Sequence, residues 1–521
     1  MSERLQRAVS LTIEAGYQLN KEAFDFLNSL SKTEDPTKLI EETIKRMENF
    51  PEKTLFIDKN LLQEIAGEAF PEALKEKPPL APSPSHPFPK AKKTFHAYAK
   101  DIDAEIKIVK DPTNDICESG TLEEYLEYFQ DRFKRLERIL RRRIDTKDAV
   151  TISDALKAPV NSKIKIICMI TEKRESKAKL LLRVEDLKAT ATILVSPNKD
   201  HRIMKKAREL LPDQVVCIAA TKGRNDLLIA QDIIRPDTPQ RKSNLAPSPV
   251  YAALISDLHV GSKMFVKEAF TRFLLWLNGK FGNAKAQRTA AHVKYVVIAG
   301  DIVDGIGVYP KQKEELAITD IYEQYRLASK FIEEIPDYIE VVIIPGNHDA
   351  SRKALPQPAI PQDYAEPLHE ARKVYSLGNP STVSFHDVQL LLSHGRSLDD
   401  IVSVSSEVSF NSPEKAMKLL LQSRHLAPVY GGKTPIAPEK KDFMVIEKPP
   451  DILHCGHVHV LKHESYRGTL LVNSGTWQEQ TSYQKEMGLV PTPGIVPVVN
   501  LQTLDITTIN FSTPYESNLA R

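Results

Sequence analysis

The sequence predicts a mixed α/β protein with a small helical domain, a β-barrel and a large α/β domain. Residues 1–74 show helical periodicity, and residues 150–236 show three strand-like runs, a helix and two further strands. After residue 250, apolar strand-like runs alternate with clusters of polar residues. Because 521 residues are too many for one ordinary core, we expect these regions to fold as separate parts.

The first 149 residues predict an interaction domain, a tether and a capped helix. Apolar residues recur at helical spacing around Phe24 and Leu61, which favours a small helical interaction domain at residues 1–74. Residues 75–95 are rich in proline and lysine, and such proline density blocks helix and sheet alike. Residues 96–149 predict a strand and then an amphipathic helix that opens with the capping box Thr121 and Glu124.

The barrel predicted at residues 150–236 has the element order of an oligonucleotide-binding fold, three strands, a helix and two strands. Its strands carry almost no aromatic residues, which weakens the case for stacking on single-stranded bases. A protein-contact role for the barrel is therefore at least as well supported. The proline-bearing residues 237–249 are predicted to link the barrel to the last domain, residues 250–521.

Composition excludes several classes of protein. A net charge of +2 means that any contact with nucleic acid must use local basic patches. No apolar run approaches the roughly 20 residues needed to cross a bilayer, and the first residues lack the apolar core of a signal peptide. The four cysteines are scattered, as expected of reduced thiols. We therefore expect a cytoplasmic protein with no membrane partner.

The most specific signal is a series of five apolar runs in the last domain, each ending in residue types that bind metals. The clusters are Asp257 with His259, Asp301 with Asp304, Asn347-His348-Asp349, His394 with Arg396, and His457 with His459. A single Asp-x-His after a strand is common without any metal, but five clusters in succession favour one shared site. Loops at the carboxyl ends of strands converge in open α/β sheets, so we expect these side chains to meet there.

The ligand types indicate the reaction. Imidazole plus carboxylate suits Mn²⁺, Fe²⁺ or Zn²⁺ better than Mg²⁺, and so many ligands exceed the needs of one ion. Two ions that share a bridging carboxylate can activate a water and stabilise displacement at phosphorus. A histidine next to a ligand can protonate the leaving oxygen. The sequence therefore predicts a two-metal phosphoesterase.

The motif series D-x-H, G-D-x-x-D, G-N-H-D, H-G and G-H-x-H resembles the calcineurin-like metallophosphoesterases across about residues 250–490. The resemblance implies a β-sandwich flanked by helices. It implies one metal on Asp257, His259, Asp301 and His459, and a second metal on Asp301, Asn347, His394 and His457. It also implies that His348 is the catalytic acid, oriented by Asp349. Asp304 and Arg396 are implied to support a ligand or to contact the substrate.

The wider chain, about residues 95–510, is similar to the small subunits of archaeal D-family DNA polymerases. A barrel stands just before the phosphoesterase region, and two proline-rich stretches occupy residues 355–361 and 427–438. The resemblance implies a large catalytic subunit as partner and a proofreading 3′–5′ exonuclease activity. The implied substrate is a single-stranded or mismatched primer 3′ end, and the implied product is a 5′-mononucleotide. Eukaryotic relatives have lost metal ligands, whereas every ligand position is filled here, which implies an active nuclease.

Two alternatives remain open at this point. A free-standing repair nuclease or phosphatase of the same superfamily would use the same site, because two-metal sites hydrolyse both monoesters and diesters. A non-catalytic scaffold subunit would share the domain plan. About 250 residues precede the phosphoesterase region, which favours a subunit over a free-standing enzyme, and the complete ligand set disfavours a scaffold.

Overall fold

The structure is a computed structural model that divides into two compact units, residues 1–93 and 94–521. The residues it describes are 3–15, 17–19, 21–31, 35–48, 56–57, 59–69, 95–117, 120–176, 179–196, 201–405 and 407–513. None of the described helices is both long and apolar enough to cross a membrane.

The first unit is built from short helices. The described elements are α1 (Glu3–Glu14), β1 (Gln18–Leu19), α2 (Lys21–Leu30), α3 (Thr37–Glu48), β2 (Phe56–Ile57) and α4 (Lys59–Ala69). Strands β1 and β2 pair in parallel, and the helices bury Leu27, Leu39 and Leu62 in a common core. The helices predicted around Phe24 and Leu61 are thus confirmed. The predicted tether lies outside the described residues except for Phe95.

The second unit begins with β3 (Ile106–Lys110) and α5 (Leu122–Arg141). The amide of Glu124 donates to the Thr121 hydroxyl at 3.3 Å, and the Glu124 carboxylate accepts from the amide of Thr121, which confirms the predicted capping box. One side of α5 buries Phe133, Leu136 and Leu140 against barrel residues. Helix α5 is therefore packed between the barrel and the rest of the unit.

The barrel is closed and five-stranded. Its elements are α6 (Ile152–Lys157), β4 (Lys163–Ser176), β5 (Lys179–Glu185), β6 (Thr190–Val195), α7 (His201–Arg208), β7 (Val215–Lys222) and β8 (Leu227–Ile234), with strand order β4-β5-β6-β8-β7. The predicted order of three strands, a helix and two strands is confirmed. Strand β4 is 14 residues long, and its last residues, 171–176, are a polar stretch that pairs with β5. Alternate residues of β5 point inward, as in a half-buried strand.

The remainder of the unit is an α/β domain. Its elements are β9 (Tyr251–Ile255), α8 (Lys267–Leu277), α9 (Ala284–Ala291), β10 (Val293–Ala299), α10 (Ile321–Glu333), β11 (Glu340–Ile344), α11 (Gln362–Ala371), β12 (Val374–Ser376), β13 (Ser381–Phe385), β14 (Val388–Leu392), α12 (Leu398–Val404), α13 (Pro413–Ser423), β15 (Ile452–Cys455), β16 (Lys462–Tyr466), β17 (Thr469–Asn473), α14 (Ser482–Glu486), β18 (Ile495–Asn500) and β19 (Ile506–Asn510).

These strands form two six-stranded sheets, ordered β12-β11-β10-β9-β18-β19 and β16-β17-β15-β14-β13-β3. One cluster of fully buried side chains, including Leu254, Val297, Leu390 and Val472, joins the facing sides of both sheets. Helices α8 to α11 cover the outer face of the first sheet, and α12 and α13 cover that of the second. The central strands β9, β10 and β11 are parallel, as are β14 and β15, so their carboxyl ends meet at one edge.

Two segments outside this domain are attached to it. Strand β3 pairs antiparallel with β13 and completes the second sheet. The stretch at residues 237–249, predicted as a linker, has no helix or strand and lies along the domain surface. The amide of Asp237 donates to the Gln422 carbonyl at 2.9 Å, and Arg241 forms an ion pair with Asp451 at 2.7 Å. This stretch is held in place at both points.

Candidate metal centre

The five predicted clusters converge at the strand carboxyl ends. Strands β9, β10 and β11 deliver the first three clusters from one sheet, and β14 and β15 deliver the last two from the other. Among the described residues, three groups of donor atoms are placed so that each could hold a metal ion. They are Asp257, His259 and His459; Asp301, His394 and His457; and His259, Asp304 and His348. The donor atoms in each group lie within 4.8 Å of one another.

The first group is a carboxylate facing two imidazoles. The Oδ1 atom of Asp257 lies 3.4 Å from Nε2 of His459 and 3.9 Å from Nε2 of His259. The two Nε2 atoms are 3.1 Å apart. All three residues are buried, so these donor atoms are shielded from bulk water.

The second group is arranged in the same way around His394. Its Nε2 atom lies 3.2 Å from Oδ2 of Asp301 and 3.1 Å from Oδ1 of Asn347. The ring of His457 stands edge-on to that of His394, with centroids 5.2 Å apart. The Asn347 and His457 side chains are half-buried, so this group is the more open of the two.

Asp301 lies between the two groups. Its Oδ2 atom is 3.2 Å from His394 Nε2 and 3.8 Å from His259 Nε2. Its other oxygen, Oδ1, accepts a hydrogen bond from the His348 amide at 2.7 Å. One carboxylate oxygen therefore faces imidazoles from both groups.

The backbone is strained at five of these residues. Asp257, His259, Asp301, His457 and His459 all have φ between 52° and 69°, a region that residues with a β-carbon rarely adopt. Such strain costs on the order of 1–3 kcal/mol per residue and collects at functional sites. A fold that places all five in this region holds their side chains in a fixed cluster at a cost in stability.

Two glycines permit the close approach of the loops. A β-carbon at Gly346 would collide with the carboxylate and amide of Asp301, and one at Gly456 would collide with Ser256 and Asp257. The G-N-H and G-H motifs therefore need glycine because ligand-bearing backbone passes directly over the position of the missing side chain.

Further side chains orient the imidazoles. His259 Nδ1 lies 2.9 Å from Oδ1 of Asp304, and His394 Nδ1 donates to the Ala299 carbonyl at 2.8 Å. Each contact leaves the Nε2 atom free to bind a metal. Asp304 thus contacts the His259 ring on the side away from its Nε2 atom.

Two supporting residues were not predicted. Nε2 of Gln484, on α14, lies 2.8 Å from His459 Nδ1, and Oδ2 of Asp399, on α12, lies 3.2 Å from His457 Nε2. Gln484 also closes the capping box of α14 with Thr481. That box is visible in the sequence, but it indicates a helix start and not a contact with a distant histidine.

His348 and Asp349 have separate partners. The Nδ1 atom of His348 donates to the Asp304 carbonyl at 2.7 Å, which leaves Nε2 available. The Asp349 carboxylate accepts from the amides of Gly346 at 2.8 Å and Ile302 at 3.1 Å. The resemblance implied that Asp349 orients His348, but the orienting contact is made by Asp304. Asp349 instead joins the two loops that carry Asp301 and Asn347.

The carboxylates and imidazoles shift each other's pKa. Burial alone would raise the pKa of Asp301, but the neighbouring imidazoles of His394 and His348 hold it well below its usual value. Burial likewise opposes charge on His259 and His394, yet Asp304 and Asp301 respectively raise their pKa to about 9. The centre is therefore strongly anionic and draws positive charge.

The pKa of His348 shifts in the opposite direction to those of His259 and His394. Burial lowers its pKa to about 4, although Asp301 and Asp304 oppose that shift. The imidazole is thus neutral near pH 7, with its one proton on Nδ1 toward Asp304.

The residues fit two divalent cations. Anionic oxygens and imidazole nitrogens that face each other at 3.2–3.9 Å, in a buried and strained cluster, are donors for metal ions of the Mn²⁺, Fe²⁺ or Zn²⁺ type. Asp257, His259, Asp301 and His459 would hold one ion, and Asp301, Asn347, His394 and His457 would hold the other.

Comparison with known proteins places the chain in a family. The family of B subunits of DNA polymerases alpha and epsilon matches residues 252–463, which include all seven ligand candidates. A DNA polymerase II small subunit from Archaeoglobus fulgidus is 41% identical over 443 residues, 85% of this chain and 86% of the relative. The chain belongs to the family of archaeal DNA polymerase II small subunits. Another member of the family, from Methanothermobacter thermautotrophicus, is 36% identical over 472 residues, 90% of this chain and 93% of its own.

Membership in the DNA polymerase II small subunits confirms the polymerase family that the resemblance implied. A third member, from Methanocaldococcus jannaschii, is 40% identical over 408 residues, 77% of this chain and 68% of its own.

Proposed function

We propose that the chain is a metal-dependent 3′–5′ exonuclease that serves as the proofreading subunit of an archaeal replicative DNA polymerase. The observation that carries the proposal is the complete pair of ligand groups around the carboxylate of Asp301. Two facing sheets with flanking helices, and a site at the strand ends, support assignment of this domain to the metallophosphoesterase sandwich. Membership in a polymerase subunit family supports DNA as the substrate.

Two divalent ions are proposed as cofactors, with Mn²⁺ as the first choice and Fe²⁺ or Zn²⁺ as alternatives. When bound, such a pair lowers the pKa of a water and stabilises negative charge at phosphorus. The chain's own residues hold the donors in place before binding. Asp304 fixes the ring of His259, and the Ala299 carbonyl fixes that of His394.

His348 is the proposed proton donor to the leaving 3′ oxygen. Its Nδ1 atom is fixed on the Asp304 carbonyl, which leaves Nε2 as the atom that can exchange a proton with substrate. With a pKa of about 4 the ring is neutral near pH 7, so it must gain a proton before it can give one. The phosphate of a bound strand supplies negative charge beside the ring, and an adjacent opposite charge raises the pKa of a histidine.

The proposed partner is a large catalytic polymerase subunit, since the relatives are named small subunits. The barrel is the proposed contact surface, because its strands have few aromatic residues with which to bind single-stranded bases. The family favours this subunit role over a free-standing repair nuclease.

The proposal is tested with the purified full-length chain, Mn²⁺ and 5′-labelled primers. We expect single-stranded and mismatched 3′ ends to be shortened one nucleotide at a time, with release of 5′-mononucleotides, and we expect chelation to stop the reaction. The Asp301→Ala variant controls for a contaminating nuclease. If metal analysis shows two bound ions and the primers stay intact, the chain is a scaffold subunit and the proposal is wrong.

A further inference from the structure

The ammonium group of Lys353 lies over the open side of the metal centre. Its Nζ atom donates to the carbonyl of Asn347 at 2.6 Å, and the Asp349 carbonyl is 3.4 Å away. Asn347 is itself 3.1 Å from His394 through its side-chain oxygen. The lysine as a whole is exposed, so its charge is held next to the ligands and is still open to solvent.

A second cation is placed beside it. Arg396 follows His394 by two residues, and its Nη1 atom donates to the Lys353 carbonyl at 3.1 Å. The arginine is half-buried. The two cations therefore come from separate loops, after β11 and after β14, and meet on the side of Asn347 and His394.

Neither cation forms an ion pair. Among the described residues, no carboxylate lies within 4.0 Å of the charged nitrogens of Lys353 or Arg396, whose recorded partners are backbone carbonyls. Asp399, the closest acidic residue in sequence, is paired with His457. The carboxylates of Asp301 and Asp349 act on Lys353, and that of Asp399 on Arg396, only through space. Because no carboxylate is in direct contact with either cation, both can bind an anionic ligand.

On the opposite side of the centre, the side chains that contact the imidazoles are not cationic. The side chains that contact His259 and His459 from outside are the carboxylate of Asp304 and the amide of Gln484. The centre thus has a cationic side near Asn347 and an acidic or neutral side near His459.

This difference matters for a strand that is cut from its 3′ end. All the phosphates beyond the scissile one lie on the 5′ side, whereas the terminal nucleoside carries no further charge. Cations bind the phosphates of single strands, and each neutralised phosphate adds to the salt dependence of binding.

We infer that Lys353 and Arg396 form a binding subsite for the DNA phosphates on the 5′ side of the scissile bond. The strand therefore approaches across Asn347 and His394, and the terminal nucleoside lies toward His259 and His459. This inference rests on the proposed exonuclease function, and it adds the direction in which the strand lies.

The first test measures binding without catalysis. Fluorescence anisotropy of a single-stranded oligonucleotide with full-length protein in EDTA gives the affinity as a function of salt. For Lys353→Gln we expect weaker binding and a log–log salt slope smaller by about 0.7 for the lost phosphate contact. Lys353→Arg retains the charge and should restore the slope. Lys330→Gln, at an exposed lysine on α10, is the matched control and should equal the wild type.

The second test uses substrate length. A dinucleotide without a 5′-phosphate has only the scissile phosphate, so it cannot use a subsite on the 5′ side. With Mn²⁺, the ratio of kcat/KM for an oligonucleotide to that for a dinucleotide should fall at least about tenfold in Lys353→Gln and stay constant in Lys330→Gln.

The outcomes separate this inference from the proposed function. If the wild type fails to hydrolyse either substrate, yet Lys353→Gln lowers the salt slope, the phosphate subsite stands and the nuclease proposal fails. If the wild type hydrolyses DNA while Lys353→Gln has an unchanged slope and an unchanged length ratio, the subsite is wrong. An equal loss on both substrates would place Lys353 at the scissile phosphate and overturn the strand direction.

Discussion

The His348 amide donates a hydrogen bond to the Asp301 carboxylate, but the two side chains have different surroundings. The Asp301 carboxylate lies between the imidazoles of His259 and His394, whereas the His348 ring is held by the Asp304 carbonyl. Substitutions at these two positions therefore separate metal binding from proton transfer.

For Asp301→Ala we expect bound metal and exonuclease activity to be lost together, because both ligand groups lose their shared carboxylate. Metal content after reloading with Mn²⁺, measured beside hydrolysis of a labelled primer, checks this. Near-normal occupancy of both ions in this variant would show that Asp301 is not a bridge.

For His348→Ala we expect both ions to remain and the single-turnover rate to fall about 10²–10⁴-fold, as is usual when a general acid is removed. Metal analysis and single-turnover hydrolysis on the same preparation check this. A variant that is empty of metal, or that cuts at a near-normal rate, would contradict the assigned role.

The sequence predicted the candidate ligands because each lies a few residues after the end of an apolar run. The roles of Asp399 and Gln484 could not be predicted in this way. Their contacts with His457 and His459 arise from tertiary structure and leave no local sequence pattern. The hydrogen-bond partner of His348 could not be predicted either, for a different reason. A backbone carbonyl, here that of Asp304, is present at every residue and carries no sequence signal.

At the scale of a single element, helix α5 carries a buried arginine whose contribution to stability can be measured. Its Arg132 is fully buried and donates to Asp442 at 2.8 Å and to the Pro428 carbonyl at 2.9 Å. His425 lies 2.7 Å from the same carboxylate of Asp442. Burial, together with the charge of Arg132, lowers the pKa of His425 to about 4, so Arg132 is the cation that neutralises Asp442.

For Arg132→Met we expect a loss of about 3–5 kcal/mol in unfolding free energy at pH 8, because Asp442 keeps a buried charge without its partner. The loss should shrink as pH falls toward 6. In the variant, Asp442 raises the pKa of His425 above its unfolded value, so the protonated histidine stabilises the folded state at low pH and that gain disappears as pH rises.

Denaturant unfolding of Arg132→Met and wild type at pH 6 and pH 8 measures this difference. Arg138→Met, at an exposed position of the same helix, is the matched control and should change little at either pH. A loss for Arg132→Met that is independent of pH would mean that His425 does not take over the charge.

Element boundaries could be predicted where the apolar pattern was continuous. The capping box of α5 and the inner residues of β5 follow directly from the sequence. The second half of β4 could not be predicted from the sequence, because residues 171–176 are polar. They form a strand because they pair with β5.

At the scale of the whole molecule, the barrel is the proposed surface for the large subunit. Deletion of residues 150–236 is a poor test of that idea, because the barrel's Ile167, Met169 and Val215 cover Phe133 and Leu136 of α5. Substitutions on the barrel's outer face avoid this damage. Leu181, on β5, and Leu187, between β5 and β6, are 40% and 45% exposed.

For the double variant Leu181→Glu with Leu187→Glu we expect the dissociation constant of the co-expressed large subunit to rise about tenfold or more, since charge at an interface core commonly costs more than 1 kcal/mol. Exonuclease activity of the isolated chain should be unaffected. Leu122→Glu, at an exposed position in the first turn of α5, is the control. Unchanged binding measured by titration or size exclusion would move the interface away from this face.

The pairing of β3 with β13 affects how the chain can be cut and how it can be made. Residues 106–110 are synthesised before the barrel, but their partner at residues 381–385 leaves the ribosome much later. Until then, β3 is an unpaired strand. A fragment that begins at residue 250 would lack β3 and expose the edge of β13 to pairing with other chains. The barrel therefore lies in sequence between β3 and the rest of the α/β domain. That domain cannot be completed without residues on both sides of the barrel.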